Sequence, residues 1–563
     1  MLKKILSLLL CGVFTLSLTP CVTAAPKEEG NAPILGEWMW ASTIADLGPN
    51  GAEILLSRCA EMGVTDVYLL VKGTGGTLGY LNTQYKDRVS RKNRDVLQET
   101  IDAAHSRGIR VHAWVCNMED SAYKASHPNA GMWHYIRQRD NDRINLYDPD
   151  YLTYMSNIAS ELAAYDIDGL HLDYIRYNHL ANGWSESDFS ALQARGADPE
   201  RVKELIEITF GYHGHSENAN YIFNAYRNGD RTAHIIAEYR RENVKTYAKT
   251  IISAARKVKP DLIISAATMP EGAYDEAFAN LHYGQSYDDA SELYDYICPM
   301  SYSTNYGKND QWVATLAKNA VAKGNKVVMG LQAYDSATSL RMMSEIDSLK
   351  ALASTDTYGD SVLGAVLFRT GTVDYAKLTN DTQNRIFAVK LFNVGASSTC
   401  RQIRIDLKNG IRVTQVELGE GINPKAAVSI SPSGNSITIK ASEVFSGGSH
   451  GYAYLKYEGE PPSGTVPAIV EFTRSANICT YTAAHSLGEP SADLGTLPNT
   501  WITQAPAESA DTPTSETRDI PANEGSPSEG GFSPIFLIPI FAALLGIFAA
   551  VTAVLWKKKK KRV

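Results

Sequence analysis

Short apolar segments alternate with polar loops and amphipathic helical patterns through residues 33–384. The helical patterns at 52–62, 96–107 and 311–323 each end next to a glycine, at Gly63, Gly108 and Gly324, as helix C-termini commonly do. Further helices are predicted at 151–165 and 238–258. Eight apolar segments separated by helices indicate an α/β fold, a (β/α)8 barrel. The predicted strands cover residues 36–40, 66–71, 110–116, 169–175, 262–267, 296–302, 326–334 and 364–368.

A doubly wound open sheet is the alternative that the same alternation allows. The first strand, however, is not followed by the GxGxxG pattern of dinucleotide-binding folds, so the barrel is favoured. The longest interruption is the segment 178–237 after the fourth strand, which is rich in Tyr, Asn, His and Gly. It is either a surface insertion or part of a substrate groove at the C-terminal face, where barrel enzymes keep their sites.

Beyond the barrel, the pattern changes to short alternating segments separated by turn residues. Residues 385–460 are predicted to form a small β-sandwich, which either packs on the barrel or binds carbohydrate. Residues 461–533 are rich in Pro, Ser, Thr, Glu and Gly, a composition typical of a disordered stalk or linker. One weak strand is predicted within it, at 469–472.

The two ends carry targeting signals. Residues 1–25 have a basic start, an apolar run and small residues before the expected cleavage site, which predicts a secretory signal peptide. The 22 uncharged residues 535–556 predict one transmembrane helix, assigned to 534–556, and the basic residues 557–563 a cytoplasmic tail. We therefore expect an exported protein anchored in the cell membrane, with its barrel extracellular. Sortase anchoring near Leu497 is a lesser alternative.

Charge and cysteine content narrow the possible partners. The chain of 563 residues has 54 Lys and Arg against 62 Asp and Glu, a net charge of −8; eight of the basic residues lie in the two end segments, so the remainder carries −16. This argues against nucleic acid as a partner. The seven cysteines show no CxxC spacing, and neither a disulfide scaffold nor a metal site is expected. No cofactor is expected either.

The fourth predicted strand carries the richest chemistry. Alternation places Leu170 and Leu172 toward the helices and His171 and Asp173 toward the barrel axis, with Asp173 at the open end. A carboxylate flanked by His171 and Arg176 would stay ionised, which suits a nucleophile or an oxocarbenium stabiliser in glycoside hydrolysis. The alternative is an aspartate in a structural salt bridge.

A glycosidase also needs a general acid. Glu271 follows the fifth strand in a loop over the same face and is the preferred candidate. Glu119, Asp120 and Asp335, after the third and seventh strands, remain open. Other strand ends mix aromatic and hydrogen-bonding side chains, which suits sugars. The candidate substrate-binding residues are Trp40, His112, Trp114, His171, Arg176, Tyr302, Gln332, Tyr334 and Arg369.

Four segments together resemble the glycosyl-hydrolase-like family 10 proteins: DGLHLDYIRY (168–177), RGIRVHAWV (107–115), EYRRENVKTYAKTI (238–251) and YICPMSYS (296–303). The resemblance covers about residues 33–380. It implies a TIM barrel of the cell envelope with glycoside hydrolase activity and, in some members, peptidoglycan glycan strands as substrate. Asp173 matches the acidic position of the family's motif, and His112, Trp114, Arg240, Arg241 and Asn243 match other positions. The first strand departs, with GEWMW (36–40) where Arg-Gly-x-Trp is usual.

The sequence therefore predicts a membrane-anchored extracellular glycoside hydrolase that acts on a polysaccharide, such as peptidoglycan glycan strands. Asp173 would be the nucleophile or stabiliser and Glu271 the acid/base. A non-catalytic carbohydrate-binding surface protein on a degenerate barrel is the main alternative. A glycosyltransferase or transglycosylase on the same scaffold is a third possibility.

Overall fold

A computed structural model describes residues 33–333, 336–368, 375–382, 384–392, 399–407, 410–445, 450–460, 467–475, 479–485 and 502–503. The strands are β1 Ile34–Trp40, β2 Asp66–Lys72, β3 Arg110–Cys116, β4 Gly131–His134, β5 Arg139–Ile144, β6 Gly169–Asp173, β7 Ile263–Thr268, β8 Tyr296–Pro299, β9 Val327–Gln332, β10 Val362–Phe368, β11 Tyr375–Asp381, β12 Ile386–Phe392, β13 Cys400–Leu407, β14 Arg412–Leu418, β15 Ala427–Ile430, β16 Ser436–Lys440, β17 His450–Glu458, β18 Pro467–Arg474, β19 Cys479–His485 and β20 Ile502–Thr503.

The α-helices are α1 Ala41–Asp46, α2 Gly51–Glu61, α3 Val96–His105, α4 Ser121–Ser126, α5 Pro149–Ala163, α6 Glu186–Ala194, α7 Pro199–Phe210, α8 Tyr221–Arg227, α9 Arg231–Val258, α10 Glu276–Phe278, α11 Tyr287–Leu293, α12 Gln311–Ala322 and α13 Ser336–Ala353. Short 3₁₀ turns lie at Lys86–Arg88 and Pro270–Ala273, and a π-helical turn at Ala279–Tyr283.

Eight parallel strands close into a barrel in the order β1-β10-β9-β8-β7-β6-β3-β2. They coincide with the eight strands predicted from the sequence, so the barrel is confirmed and the open sheet is excluded. Leu170 and Leu172 of β6 pack in the layer between barrel and helices. His171 lies on the other face, against the rings of Trp38 and Trp114 inside the barrel. The alternation predicted for this strand is therefore present, and it directs Asp173 toward the C-terminal opening, here called the barrel mouth.

Two five-stranded antiparallel sheets follow the barrel, in the orders β11-β12-β17-β14-β20 and β15-β16-β13-β18-β19. They extend past the predicted limits 385–460 on both sides. At the N-terminal side β11 pairs with β12 along its whole length. At the C-terminal side β18 pairs with β13, so a strand occupies 467–474 inside the segment predicted as a linker. The weak strand predicted at 469–472 lies within β18, which is longer than predicted and pairs with both β13 and β19.

In the part of the chain that the structure describes, none of the helices is long and apolar enough to cross a bilayer. The predicted signal peptide (1–25), transmembrane helix (534–556) and basic tail (557–563) all fall outside the described residues, as does most of the predicted stalk.

A buried ion pair joins the mouth ends of β2 and β3. Lys72 Nζ lies 3.0 Å from Asp120 Oδ2, and neither side chain is exposed. The same ammonium donates a 2.8 Å hydrogen bond to the carbonyl of Cys116, the residue paired with Asp173 across β3 and β6. Asp120 also accepts a hydrogen bond from the backbone N–H of Tyr123 at the start of α4. Asp120 thus holds the loop after β3 in place. Because its carboxyl group is engaged in these contacts, Asp120 is disfavoured as the general acid.

We predict that Lys72→Met lowers the free energy of unfolding by about 3 kcal/mol, because removal of Lys72 leaves the buried Asp120 carboxylate with only the Tyr123 N–H and the more distant Arg88, at 3.6 Å. The double variant Lys72→Met/Asp120→Asn should lose less than the single variant. Guanidinium unfolding curves measure both values. A single variant as stable as the wild type would contradict the ion pair as a structural tie.

Candidate active site

Asp173, the last residue of β6, lies at the mouth with 4% of its surface exposed. Its Oδ2 accepts a 3.2 Å hydrogen bond from Trp114 Nε1. Its Oδ1 accepts a 2.6 Å bond from the backbone N–H of Tyr174 and lies 3.4 Å from Arg176 Nη1. Three N–H donors on one side chain fix the orientation of this carboxyl group. The predicted residues Asp173, Trp114 and Arg176 are therefore brought together.

The backbone around Asp173 is also held from two directions. Tyr174 adopts the left-handed region, with φ 53°, which turns the chain at the end of β6 and brings its own N–H onto the Asp173 carboxyl group. Asn117, after β3, donates its side-chain amide to the carbonyl of Asp173 at 2.8 Å. The hydroxyl of Tyr247 from α9 donates to the Asn117 oxygen at 3.2 Å. A non-glycine residue at positive φ carries strain, and its place beside a candidate nucleophile fits a functional position.

Tyr174 lies between two guanidinium groups. Arg143 and Arg176 place their Cζ atoms 5.1 Å and 5.0 Å from the centre of its ring. Arg143 also forms a 3.0 Å ion pair with Glu119. Glu119, another candidate acid from the sequence, is therefore engaged with Arg143.

Glu271 lies in the 3₁₀ turn Pro270–Ala273 directly after β7, the strand next to β6 in the barrel. The turn packs closely on α11: a Cβ atom on Gly272 would lie 2.1 Å from the ring of Tyr287, so this position needs glycine. Glu271 is 5% exposed, and burial raises its pKa to about 7, although hydrogen bonds from its own backbone N–H and from Tyr306, and the charge of Arg176, act in the opposite direction.

Tyrosines surround the Glu271 carboxyl group. Tyr306 donates its hydroxyl to Glu271 Oε1 at 3.1 Å. Burial and the nearby Glu271 carboxyl raise the pKa values of Tyr283 and Tyr306, and the Glu271 carboxyl acts on Tyr274 in the same direction. Among the described residues, Oε2 of Glu271 has no hydrogen-bond partner. The sequence analysis missed these tyrosines; the only signal was two tyrosines, Tyr302 and Tyr306, close together after the sixth barrel strand.

Arg176 links the two carboxyl groups. It contacts Asp173 directly, and its charge acts on Glu271. Burial opposes the charge on Arg176, yet Asp173, Tyr174 and Tyr283 hold its pKa above the ordinary value. The mouth therefore contains a carboxyl group held by N–H donors, a permanent cation, and a second carboxyl group whose pKa lies near neutrality.

His112 and His171 lie deeper in the barrel than the mouth, and both are fully buried. His112 Nε2 is 2.9 Å from Asp66 Oδ1, and its ring stacks on Tyr68. His171 accepts a 3.0 Å hydrogen bond from Trp38 Nε1 and contacts Ser265 Oγ at 2.9 Å. Burial, with His112 nearby, lowers the pKa of His171 well below its ordinary value, so it is neutral. The structure therefore does not present these two predicted substrate-binding residues to a ligand; they support the layer beneath the mouth.

The other predicted residues divide into two groups. Trp40 is half-buried at the mouth end of β1, Tyr302 stacks on Phe368 with ring centres 5.8 Å apart, and Gln332 donates a 3.1 Å hydrogen bond to Asn305. Of these three residues, Tyr302 and Gln332 are buried, and Trp40 is the one that is partly exposed and could contact a sugar. Tyr334, Arg369 and the alternative acid Asp335 lie outside the described residues.

Three further residues at motif positions have structural partners. Arg240 is buried 3.7 Å above the ring centre of Tyr177 and donates to the carbonyls of Asn182 and His282. Arg241 pairs with Asp289 at 2.8 Å, and Asn243 donates to the Tyr177 hydroxyl at 2.9 Å. These contacts brace the insertion 178–237 and the loop after β7 against α9. Within the described residues, no group of three or more His, Cys, Asp or Glu side chains could hold a metal ion.

Residues 53–346 match the sequence model of the family described as glycosyl hydrolase-like 10. The chain belongs to the glycosyl hydrolase-like 10 family. The match includes Asp173 and Glu271 and confirms the resemblance found in the sequence. No curated protein matches the chain.

Solved structures similar to the chain include two β-galactosidases. The enzyme from Rahnella sp. R3 has 13% identity and a TM-score of 0.41, over 61% of this chain and 51% of that chain. The enzyme from the psychrophilic Marinomonas ef1 has 11% identity and a TM-score of 0.40, over 60% and 54%. The spore cortex-lytic enzyme of Bacillus megaterium has 12% identity and a TM-score of 0.32, over 61% and 71%. The chain thus spans about half the length of the β-galactosidases, and TM-scores this low carry no argument about activity.

We predict that the free energy of unfolding decreases less with rising pH in Glu271→Gln than in the wild type. Because the pKa of Glu271 is about 7 in the folded chain against an ordinary 4.5, the unfolded chain ionises first, and the free energy of unfolding falls as pH rises from about 4.5 to about 7. The loss is on the order of 3 kcal/mol, and the glutamine variant avoids it.

Unfolding free energies of the wild type and Glu271→Gln at pH 5 and pH 8 measure this difference. The control is Glu200→Gln, whose side chain on α7 is 82% exposed, and for which we expect no change in pH dependence. Equal pH dependence of the wild type and Glu271→Gln would contradict the raised pKa.

Proposed function

We propose that the protein is a glycoside hydrolase that cleaves a polysaccharide at the barrel mouth, with Glu271 as general acid and Asp173 as nucleophile or oxocarbenium stabiliser. The observation that carries the proposal is the unequal environment of two carboxyl groups on neighbouring strands. Asp173 accepts three N–H contacts, whereas Glu271 is buried among tyrosines with a pKa of about 7. Paired carboxyl groups with separate roles are the basis of glycoside hydrolysis.

Glu271 has the proton affinity that a general acid needs near neutral pH. At pH 7 about half of the protein molecules carry a protonated Glu271. A general acid transfers its proton most efficiently when its pKa lies near the working pH. Tyr306 fixes Oε1, while Oε2 is buried and unpartnered among the described residues, so a leaving-group oxygen would take the proton from Oε2 once neighbouring side chains move to admit it. Asp173 would then meet the positive charge that develops on the sugar ring.

We infer a polysaccharide as substrate because aromatic groups and hydrogen-bonding groups both lie at strand ends around the mouth. Trp114 on β3 contacts Asp173 itself, Trp40 ends β1 and Tyr302 follows β8, so the aromatic groups come from different sides of the barrel. Family membership supports a carbohydrate substrate. The export and membrane signals of the sequence favour a substrate outside the cell, and peptidoglycan glycan strands are the candidate that this location supports.

We expect the activity, measured as kcat/KM, to decrease with rising pH on a limb with an apparent pKa near 7. The cause is deprotonation of Glu271, whose proton the leaving group requires. Hydrolysis of glycan fragments across pH 5–9 measures the limb. A descending limb near pH 9 or above would contradict Glu271 as the acid.

We further expect Glu271→Gln to lower kcat/KM by about 10²–10⁴-fold and Asp173→Asn by at least about a hundredfold. The control Asp87→Asn changes a carboxyl group that is 81% exposed and should retain wild-type activity. Purified full-length protein is incubated with peptide-free glycan strands and with α- and β-glucans. Wild-type activity in Asp173→Asn would contradict the assignment of Asp173 as nucleophile or stabiliser.

The same incubation distinguishes the alternative functions. Binding of a glycan without cleavage by the wild type would support the non-catalytic carbohydrate-binding alternative, and transfer to an acceptor sugar would support a transglycosylase.

A further inference from the structure

An exposed aromatic ring lies immediately beside the Glu271 turn. Tyr274 is 48% exposed, and it and Val258 are the large hydrophobic side chains exposed in the described part of the chain. The backbone N–H groups of Tyr274 and Asp275 both donate to the carbonyl of Glu271, at 3.0 Å and 2.7 Å. The position of Tyr274 is therefore fixed by the same turn that positions the candidate acid.

Tyr274 belongs to a continuous aromatic path that leads to Glu271. Its ring meets the ring of Trp312 edge to face, with centroids 6.2 Å apart. Trp312 in turn lies 5.1 Å from the ring of Tyr306, whose hydroxyl is bonded to Glu271. Packing against Trp312 holds the Tyr274 ring in place although 48% of the residue's surface is exposed to solvent.

A shallow, solvent-open cleft of about 450 Å³ lies on one side of Tyr274. The insertion 178–237 supplies one wall through Tyr226, Arg227 and His234, and the segment 274–277 supplies the other. Arg227 donates to both carboxyl oxygens of Asp275, at 2.7 Å and 2.8 Å, so a guanidinium–carboxylate pair forms part of the wall. The cleft thus combines an aromatic face with groups that can bond hydroxyls.

We infer that Tyr274, supported by Trp312, is a stacking site for one sugar ring of a polysaccharide chain that extends from the catalytic carboxyl groups over the insertion. This inference rests on the proposed function. An exposed tyrosine face takes the C–H face of a sugar, while the rim of the cleft takes its hydroxyl groups. The insertion then forms part of the substrate groove, and the protein binds long chains better than short ones.

The test measures affinity as a function of chain length. Size-fractionated, peptide-free glycan strands, from a single disaccharide to long fragments, are titrated by calorimetry into full-length protein carrying Glu271→Gln, which prevents turnover. Adding Tyr274→Ala should weaken binding of the long fragments about tenfold, which corresponds to about 1.4 kcal/mol, with little effect on the disaccharide. Tyr274→Phe, which keeps the ring, should retain the affinity, and so should the control Val258→Ala.

The outcomes distinguish the stacking site at Tyr274 from the proposed glycoside hydrolase activity. If long fragments bind Tyr274→Ala as tightly as the unmodified site, or if the loss is the same at every length, the stacking site is wrong. If the wild type binds glycans with this length dependence but never cleaves them, the stacking site stands and the hydrolase proposal fails. If no glycan binds or is cleaved, both fail.

Tryptophan fluorescence supplies a readout that does not depend on activity. Because Trp312 contacts Tyr274, a sugar on that ring should change the emission of Trp312, and the total change should be smaller in Trp312→Phe, where only the tryptophans at the mouth still respond. An undiminished change in Trp312→Phe would place the bound sugar near other tryptophans and contradict the stacking site.

Discussion

The chemistry proposed for the barrel mouth depends on one buried guanidinium group that acts on two carboxyl groups. Arg176 contacts Asp173 at the end of one barrel strand and acts by its charge on Glu271 after the next strand. This permanent cation contacts the Asp173 carboxyl group, but its charge is too weak to offset the burial of Glu271. The two carboxyl groups are about equally buried and differ in their hydrogen-bond donors, which are three N–H groups on Asp173 but one tyrosine hydroxyl and its own backbone N–H on Glu271.

The parts of the structure around this interaction each restrict it further. Asn117 and Tyr247 hold the backbone of Asp173, and the Lys72–Asp120 pair holds the loop that carries Asn117. The tyrosines around Glu271 exclude water while offering it a single hydroxyl donor. Neutral His171, below the mouth, adds no second positive charge. Membership of the glycosyl hydrolase-like 10 family agrees with this arrangement of the site. Hydrolysis of a glycosidic bond at the site is our proposal.

The barrel and Asp173 could be predicted because both follow from alternation along buried strands. Alternation shows which face of a strand a residue occupies but not its depth, and for this reason His112 and His171 were expected at the mouth and lie beneath it. Glu271 could be suggested from its place after a strand, whereas its pKa could not, since the burial comes from tyrosines distant in the chain such as Tyr283 and Tyr306. Loop residues follow no regular hydrophobic pattern, so the sequence does not show which of them meet in the folded protein.

The proposed reaction requires that Glu271 keep its proton to near-neutral pH in the folded protein. Infrared difference spectra between the wild type and Glu271→Gln, recorded across pH 4–9, isolate the stretching band of this carboxyl group. We expect the protonated band to disappear with a midpoint near pH 7. A midpoint near the ordinary value of 4.5 would contradict this expectation, since Glu271 would then be ionised where the proposed reaction requires an acid.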